Sequence, residues 1–344
     1  VIFLNTIKEI AKLSGVSPTT VSRVLNDRPD VNKETKAAVL KIIEEMHYTP
    51  NANAKNLKAI ASNVVCVIVK GIGNPFLLSL TEAAQGHIEK AGFLPHTHYI
   101  DEYDDELMVA KQLMVEKKPL GFLFLGGSAA GRRSDLKQLF APVVFVAADA
   151  KEAELGHVSS VTVDDRLCAA QAVDELLSLG HREIMVLGGS LLAPDIVGNR
   201  NLGVRDSFKA RGLSFEDSRY FESKFSLESA YRATQRMFDS GLPFTALFCM
   251  SDIMAIGAAK AILDRGLKIP EDVSVIGFDG IELARFYSPS LATVRQPVAE
   301  LAQRSVAVLT GHIAGEKRAQ HVVLKGELIP GQSICSRYLS ENLR

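Results

Sequence analysis

Gly15-Val16-Ser17-Pro18-Thr19-Thr20-Val21-Ser22-Arg23-Val24-Leu25-Asn26 is the stretch on which the reading of this chain turns. Ser17 is suited to cap a helix, and Pro18 takes the first helical position, where a missing N–H costs nothing. At about 100° per residue, Thr19, Ser22, Arg23 and Asn26 fall in one polar arc. Val21, Val24 and Leu25 fall in a separate apolar arc. Upstream, Thr6 is an N-cap candidate for a helix carrying Ile7, Ile10 and Ala11, which Gly15 ends. Downstream, Asn32 caps a third helix over residues 33–46 with Val39, Leu40, Ile42 and Ile43 apolar. The apolar arc of the middle helix then docks on Ile10 and Ala11 through the tight turn Ser14-Gly15-Val16. That arrangement is a helix-turn-helix, whose second helix enters the major groove of DNA with its N-terminal residues at base edges. Arg23 suits bidentate bonding to guanine, while Thr20, Ser22 and Asn26 suit phosphate oxygens. A polar, solvated helix face is the competing explanation. It does not account for the turn, the cap and the local charge occurring together.

That local charge is hidden in the total. The chain has 344 residues, with 39 Lys+Arg against 40 Asp+Glu and a net charge of −1. Residues 1–60 hold nine bases and six acids, or +3, and the remainder holds 30 bases and 34 acids, or −4. A small basic head therefore precedes a larger acidic body. The length exceeds what one hydrophobic core usually fills, so at least two domains are expected. Between head and body, residues 49–60 read as a linker that holds no Gly. Up to Ala59 the part after Pro50 is built of Ala, Asn, Lys and Leu. It has the composition for about two helical turns, a length marginal alone in water, and so suits a switch.

From Asn63 onward, short apolar runs alternate with amphipathic stretches. Strands are predicted at 64–69, 122–125, 143–146, 184–187, 246–249 and 273–278. Helices are predicted near 76–91, 107–116, 166–179, 201–210, 227–240 and 253–265. Such alternation argues parallel sheets flanked by helices, and about 280 residues argue two α/β lobes. Cys66, Cys168, Cys249 and Cys335 form no C-x-x-C pair, and no disulfide or metal role is expected. His96-Thr97-His98 has no third ligand in view, Gly71-Ile72-Gly73 reads as a turn, and no G-x-S-x-G elbow occurs. Neither a metal, a cofactor nor a catalytic constellation is expected. No apolar run reaches the roughly 18 residues of a membrane span, and Val1-Ile2-Phe3-Leu4 is too short for a signal sequence. The chain reads as cytoplasmic.

Residues 6–58 resemble the DNA-binding headpiece and hinge of the LacI/GalR family of bacterial repressors. The carrying stretches are Thr6-Ile7-Lys8-Glu9-Ile10-Ala11, the run from Gly15 to Asn26, and Tyr48-Thr49-Pro50-Asn51-Ala52. The resemblance implies that Pro18, Thr19 and Arg23 read bases. Thr6, Lys8, Ser17, Thr20, Ser22 and Asn26 join them in the expected DNA-binding set. It further implies that residues 51–58 fold into a hinge helix on DNA, with Ala54, Lys55 and Leu57 at the duplex. Leu57 would wedge into the minor groove, where an apolar side chain unstacks base steps and kinks the helix. Asp30 stands where some members carry a base-contacting residue; an acid there repels phosphate, so it is left out.

The body resembles the family's effector-binding core, itself similar to periplasmic sugar-binding proteins. Asn74-Pro75-Phe76, Leu179-Gly180-His181-Arg182-Glu183-Ile184 and Arg200-Asn201-Leu202-Gly203 carry the likeness. So do Ser251-Asp252-Ile253-Met254-Ala255-Ile256-Gly257 and the run from Ile269-Pro270 to Phe278-Asp279. The implied organisation is a helix-turn-helix headpiece at 1–48, a hinge at 49–61 and an effector-binding and dimerisation core at 62–340. The core's first lobe covers about 62–163 and 296–326, and its second about 164–295 and 327–340. Three crossovers join the lobes, with the effector between them. Arg200 supplies a donor fork, Asp279 an acceptor, and Phe225 a ring that stacks on a sugar. Asn74 and Phe76 line the other lobe, and Ser251 takes a slot often held by Asn.

One departure stands out. Many relatives carry Asp at the end of the strand 143–146, where this chain has Ala147-Ala148 and only then Asp149. The whole reads as a regulator, most simply a repressor, acting as a homodimer on operator DNA, with a tetramer also compatible. Its effector is expected to be a sugar or related metabolite, although some members answer to a phosphocarrier protein instead. A secreted sugar-binding protein would have no use for residues 6–46, and a sugar-active enzyme would need an acid–base pair or nucleophile.

Overall fold

A computed structural model of the chain describes residues 7–25, 31–46, 62–191 and 196–337. It divides into two compact units, Val1–Ala61 and Ser62–Arg344.

The first unit contains α1 (Ile7–Leu13), α2 (Pro18–Leu25) and α3 (Lys33–Glu45). Gly15, at φ +64°, supplies the left-handed turn between α1 and α2 that a side chain would resist. The Thr20 amide donates to Ser17 Oγ at 3.1 Å, and the Thr35 amide donates to Asn32 Oδ1 at 2.7 Å, so the caps expected of Ser17 and Asn32 are made; that of Thr6 lies outside the described residues. Ile10, Ala11, Val21, Val24 and Val39 form the buried core of this unit. Leu25, Ile42 and Ile43 pack on its edge, whereas Leu40 is exposed.

The second unit is built on two six-stranded sheets. The first lobe begins with β1 (Val64–Lys70), α4 (Pro75–Lys90), β2 (Leu94–Ile100), α5 (Glu106–Lys117) and β3 (Gly121–Leu125). It continues with α6 (Arg133–Leu136), β4 (Val143–Val146) and β5 (Val158–Val163). The second lobe runs through α7 (Asp165–Ser178), β6 (Ile184–Gly188), α8 (Ile196–Ala210), β7 (Tyr220–Glu222), α9 (Leu227–Asp239) and β8 (Ala246–Cys249). Then come α10 (Asp252–Asp264), β9 (Ser274–Asp279), α11 (Glu282–Phe286) and β10 (Ala292–Arg295). α12 (Val298–Ile313) and β11 (His321–Leu324) return to the first lobe, and β12 (Glu327–Ile329) joins the second.

The strand orders are β11-β5-β4-β3-β1-β2 and β12-β10-β9-β8-β6-β7. Every pairing is parallel except that of β10 with β12. Parallel strands are covered on both faces, which is why 65–69 in β1 is apolar throughout and wholly buried. Helices supply the covering stripes: α9, capped by Ser226, buries Ala230, Ala233, Thr234 and Met237, spaced as one helical face. The chain passes between sheets after Val163, after Arg295 and between Leu324 and Glu327.

Six strands that the sequence patterns did not yield are β2, β5, β7, β10, β11 and β12. They are short, or carry polar residues whose burial depends on distant partners. In β5, Ser159 lies 2.8 Å from His312 Nε2 and Ser160 lies 2.9 Å from His321 Nδ1, so hydroxyls inside a strand are satisfied from α12 and β11.

Candidate functional site

In the first unit, α2 presents Thr19 and Arg23 to solvent beside exposed Ser17 and Pro18, while Val21 and Val24 face inward. Ser22 and Thr20 are half-buried, and the Thr20 hydroxyl is 2.9 Å from Ser17 Oγ, which keeps that end of α2 rigid. Lys8 lies in α1. Thr6, Asn26, Ala54, Lys55 and Leu57 lie outside the described residues. A capped helix with a polar outer arc held on a tight turn is the geometry that major-groove readout requires.

In the second unit, ligand chemistry is expected beyond the carboxyl ends of the parallel strands. Asp279 closes β9 there at φ +113°, a conformation that L-residues adopt only when the surroundings enforce it. Its Oδ1 accepts from Gln296 Nε2 at 2.9 Å, and its backbone carbonyl accepts from the Gln296 amide at 3.0 Å. Asp279 Oδ2 and Gln296 Oε1 are both buried and lack a hydrogen-bond partner among the described residues, as does Asn201 Oδ1 on α8. An unmet buried polar atom costs about 1–3 kcal/mol, so a ligand group that bonds it is worth that much here.

Arg200, on α8 and buried, donates through Nε to Asp165 Oδ1 at 2.8 Å and through Nη1 to the Met250 carbonyl. Its guanidinium lies 3.6 Å from the centroid of the Phe278 ring, which fixes its plane. Burial pushes the Asp279 carboxyl up to about 8; Arg200 pulls it down, Asp252 adds to the rise, and the Gln296 hydrogen bond opposes it. Asp252 is itself raised to about 7, chiefly by burial, and is held by the Thr293 hydroxyl at 2.6 Å and the Ile281 amide at 2.8 Å. These bonds tie α10 to the loop after β9 and so position Asp279.

The sequence candidates divide accordingly. Arg200 and Asp279 come together electrostatically on the second lobe. Phe225 lies beside Gly189, where a Cβ would sit 2.8 Å from its ring; glycine there lets the aromatic approach the backbone. Ser251 is wholly buried and its Oγ caps α10, while Asn74 Oδ1 caps α4 by accepting from the Phe76 amide. Phe76 is buried in the hydrophobic core that includes Leu77 and Leu80. Gln296 and Asp165 carry no motif and were missed; the signal for Gln296 was its place directly after a strand. Asp149 does not replace the carboxylate absent at Ala147: its Oδ1 accepts from the Lys151 amide at 2.9 Å and the Ser160 hydroxyl at 3.2 Å.

The raised carboxyl gives a pH signature. A folded-state value above the unfolded one means that the stability this group contributes is fully present below the unfolded value, near 3.9, and is lost as pH rises through about 8. Asp279→Asn removes that loss. The stability of the variant relative to wild type is expected to rise between about pH 5 and about pH 9, by up to about 4 kcal/mol. Urea unfolding at several pH values measures it, and a constant difference would contradict the assignment.

Bacterial regulatory proteins of the lacI family match residues 6–51, and the periplasmic binding protein-like domain matches residues 173–334. The HTH-type transcriptional regulator MalR of Clostridium butyricum is 33% identical over 339 residues, covering 95% of this chain and 98% of MalR. The chain belongs to the LacI family of bacterial regulatory proteins. The HTH-type transcriptional repressor PurR of Pasteurella multocida is 30% identical, with 96% of this chain and 99% of PurR covered. Among solved structures, a LacI family regulator from Enterococcus faecium with bound ribose is 25% identical at a TM-score of 0.69. The match covers 79% of this chain and 99% of that one.

As a LacI-family member, the protein is a DNA-binding regulator of transcription whose core responds to an effector, and the relatives named are themselves regulators. Its α/β core of parallel sheets is the one expected. Among the described residues no helix is long and apolar enough to cross a membrane, and no three His, Cys, Asp or Glu side chains gather as metal ligands. Burial pushes the thiols of Cys66 and Cys168 up to about 11 and that of Cys249 well above its ordinary value, which leaves them neutral and inert.

Proposed function

We propose that this regulator is a repressor that binds a near-palindromic operator as a homodimer. Two copies of α2 would enter successive major grooves. Arg23 would read guanine, Pro18 and Thr19 would contact neighbouring base edges, and Thr6, Lys8, Ser17, Thr20, Ser22 and Asn26 would engage the backbone. The segment of Ala54, Lys55 and Leu57 would engage the minor groove.

Control would come from a small hydroxyl- or amine-bearing metabolite held against Arg200, Asp279, Gln296 and Phe225; Asn74 and Phe76, committed to a helix cap and to the core, would shape the facing lobe without bonding it. The observation that carries this is the pair of buried oxygens, Asp279 Oδ2 and Gln296 Oε1, which have no hydrogen-bond partner among the described residues and lie in the field of the Arg200 guanidinium. Ribose in the Enterococcus faecium relative supports a sugar, and the name PurR supports repression. The missing acceptor at Ala147 costs the pocket one hydroxyl partner and weakens the case for a simple hexose. Effector and operator would then be coupled reciprocally, typically by about 1–3 kcal/mol.

A thermal-shift screen of the full chain against sugars, sugar phosphates and nucleosides tests the reading. A ligand at 100 times its dissociation constant adds about 2.7 kcal/mol of stability. A hit should also change operator affinity and lose its effect in Asp279→Ala. Absence of any hit in these classes would sink the small-molecule reading and turn the search to a phosphocarrier protein.

A further inference from the structure

The two lobes touch beside the proposed effector site, through the backbone of Phe225 and its neighbour Lys224. After β2 the chain passes through Asp101, Glu102 and Tyr103; after β7 it passes through Ser223, Lys224 and Phe225. The Phe225 amide donates to Glu102 Oε2 at 3.2 Å. Lys224 Nζ lies 3.5 Å from Asp101 Oδ1 and 4.3 Å from the centroid of the Tyr103 ring. Three contacts of different kinds thus join one loop of the first lobe to one dipeptide of the second.

Their position in the two sheets gives them leverage. β2 and β7 are the outermost strands on one side of their sheets, whereas the crossing segments leave from β5, β10 and β11 at the opposite side. Five strand intervals of about 4.8 Å put roughly 24 Å between the loops and the far edge about which the lobes turn. A rotation of about 10° there would part the loops by about 4 Å, enough to break every contact. Neither loop belongs to a strand, so parting them unfolds nothing.

We propose that Asp101, Glu102 and Tyr103 with Lys224 and Phe225 form a clasp across the cleft, latched by the bond from Phe225 to Glu102. The clasp opens to admit effector and slows its escape once shut. Each contact suits a reversible device: the ion pair and the ring contact are solvent-exposed and weak, and the charged acceptor makes the amide bond the strongest of the three. Burial raises the Glu102 carboxyl above its ordinary value, and the bond from the Phe225 amide works against that rise. Because Phe225 also belongs to the effector wall, closure would set its ring in place. The proposal rests on the cleft being the effector site, but its test needs no effector.

Amide hydrogen exchange on the full-length protein reads the latch directly, since the Phe225 amide is its donor. In Glu102→Ala the Phe225 amide is expected to exchange on the order of tenfold faster, and in Glu102→Gln, which keeps an acceptor oxygen, to recover most of its protection. The paired core residues Val186 and Phe248 report that the fold is intact and should be unchanged. Wild-type exchange at Phe225 as fast as in Glu102→Ala overturns the clasp. So does uniform acceleration at Val186 and Phe248 with no recovery in Glu102→Gln. Failure here would leave the effector site standing, whereas an empty ligand screen would leave the clasp standing.

Discussion

Arg23→Ala is expected to abolish discrimination between operator and unrelated DNA while leaving the headpiece folded. A bidentate Arg–guanine pair is worth about 1–3 kcal/mol against the wrong base. The proposed dimer would make the contact twice, so the expected loss is about 2–6 kcal/mol, or from roughly 30-fold to more than 10,000-fold. The fold should survive because Arg23 lies on the exposed arc of α2, while Val21 and Val24 hold that helix to Ile10 and Ala11. Alanine is also the best helix former. Anisotropy titrations with a selected operator and a scrambled duplex separate the possibilities. Loss on the operator alone assigns Arg23 to base readout. Equal loss on both, with a shallower salt dependence, would assign it to phosphate instead.

Arg200→Ala should be the most damaging single change in the core. Arg200 and Asp165 are both buried, and breaking a buried ion pair by removing one member typically costs about 3–5 kcal/mol. The same change withdraws the donor to the Met250 carbonyl and the positive charge that opposes the rise at Asp279. Arg200→Lys separates stability from recognition. A single ammonium keeps the charge but cannot bond Asp165 and Met250 while stacking on Phe278. It should lose less stability than alanine and still lose the response to effector. Denaturant midpoints and operator release measure the two effects. An Arg200→Ala midpoint equal to wild type would show that the pair carries no structural weight.

How far these residues could be read in advance depended on how local their physics is. Ser17, Asn32 and the valines of α2 follow from capping and a 3.6-residue period, both settled within a few residues. The buried strands β1, β3, β4, β6 and β8 were legible because parallel strands covered on both faces become continuous apolar runs. β5 was not, since Ser159 and Ser160 look polar until His312 and His321 arrive from more than 150 residues away. Ser251 and Asn74 were legible as ligand candidates, yet their oxygens are committed to helix ends, a use that residue type alone does not distinguish.

The sequence by itself thus determined a helix-turn-helix head, an alternating α/β body and the family to which both belong. Periodicity, capping and motif are short-range properties, and the chain displays them directly. Only the tertiary structure decided that Gln296 shares a bond with Asp279, that Asp149 is turned onto Ser160, and that Glu102 meets Phe225. Each of these depends on which strand lies beside which and on where the chain crosses between sheets. Strand order is set by the packing of the whole core, and no local pattern encodes it.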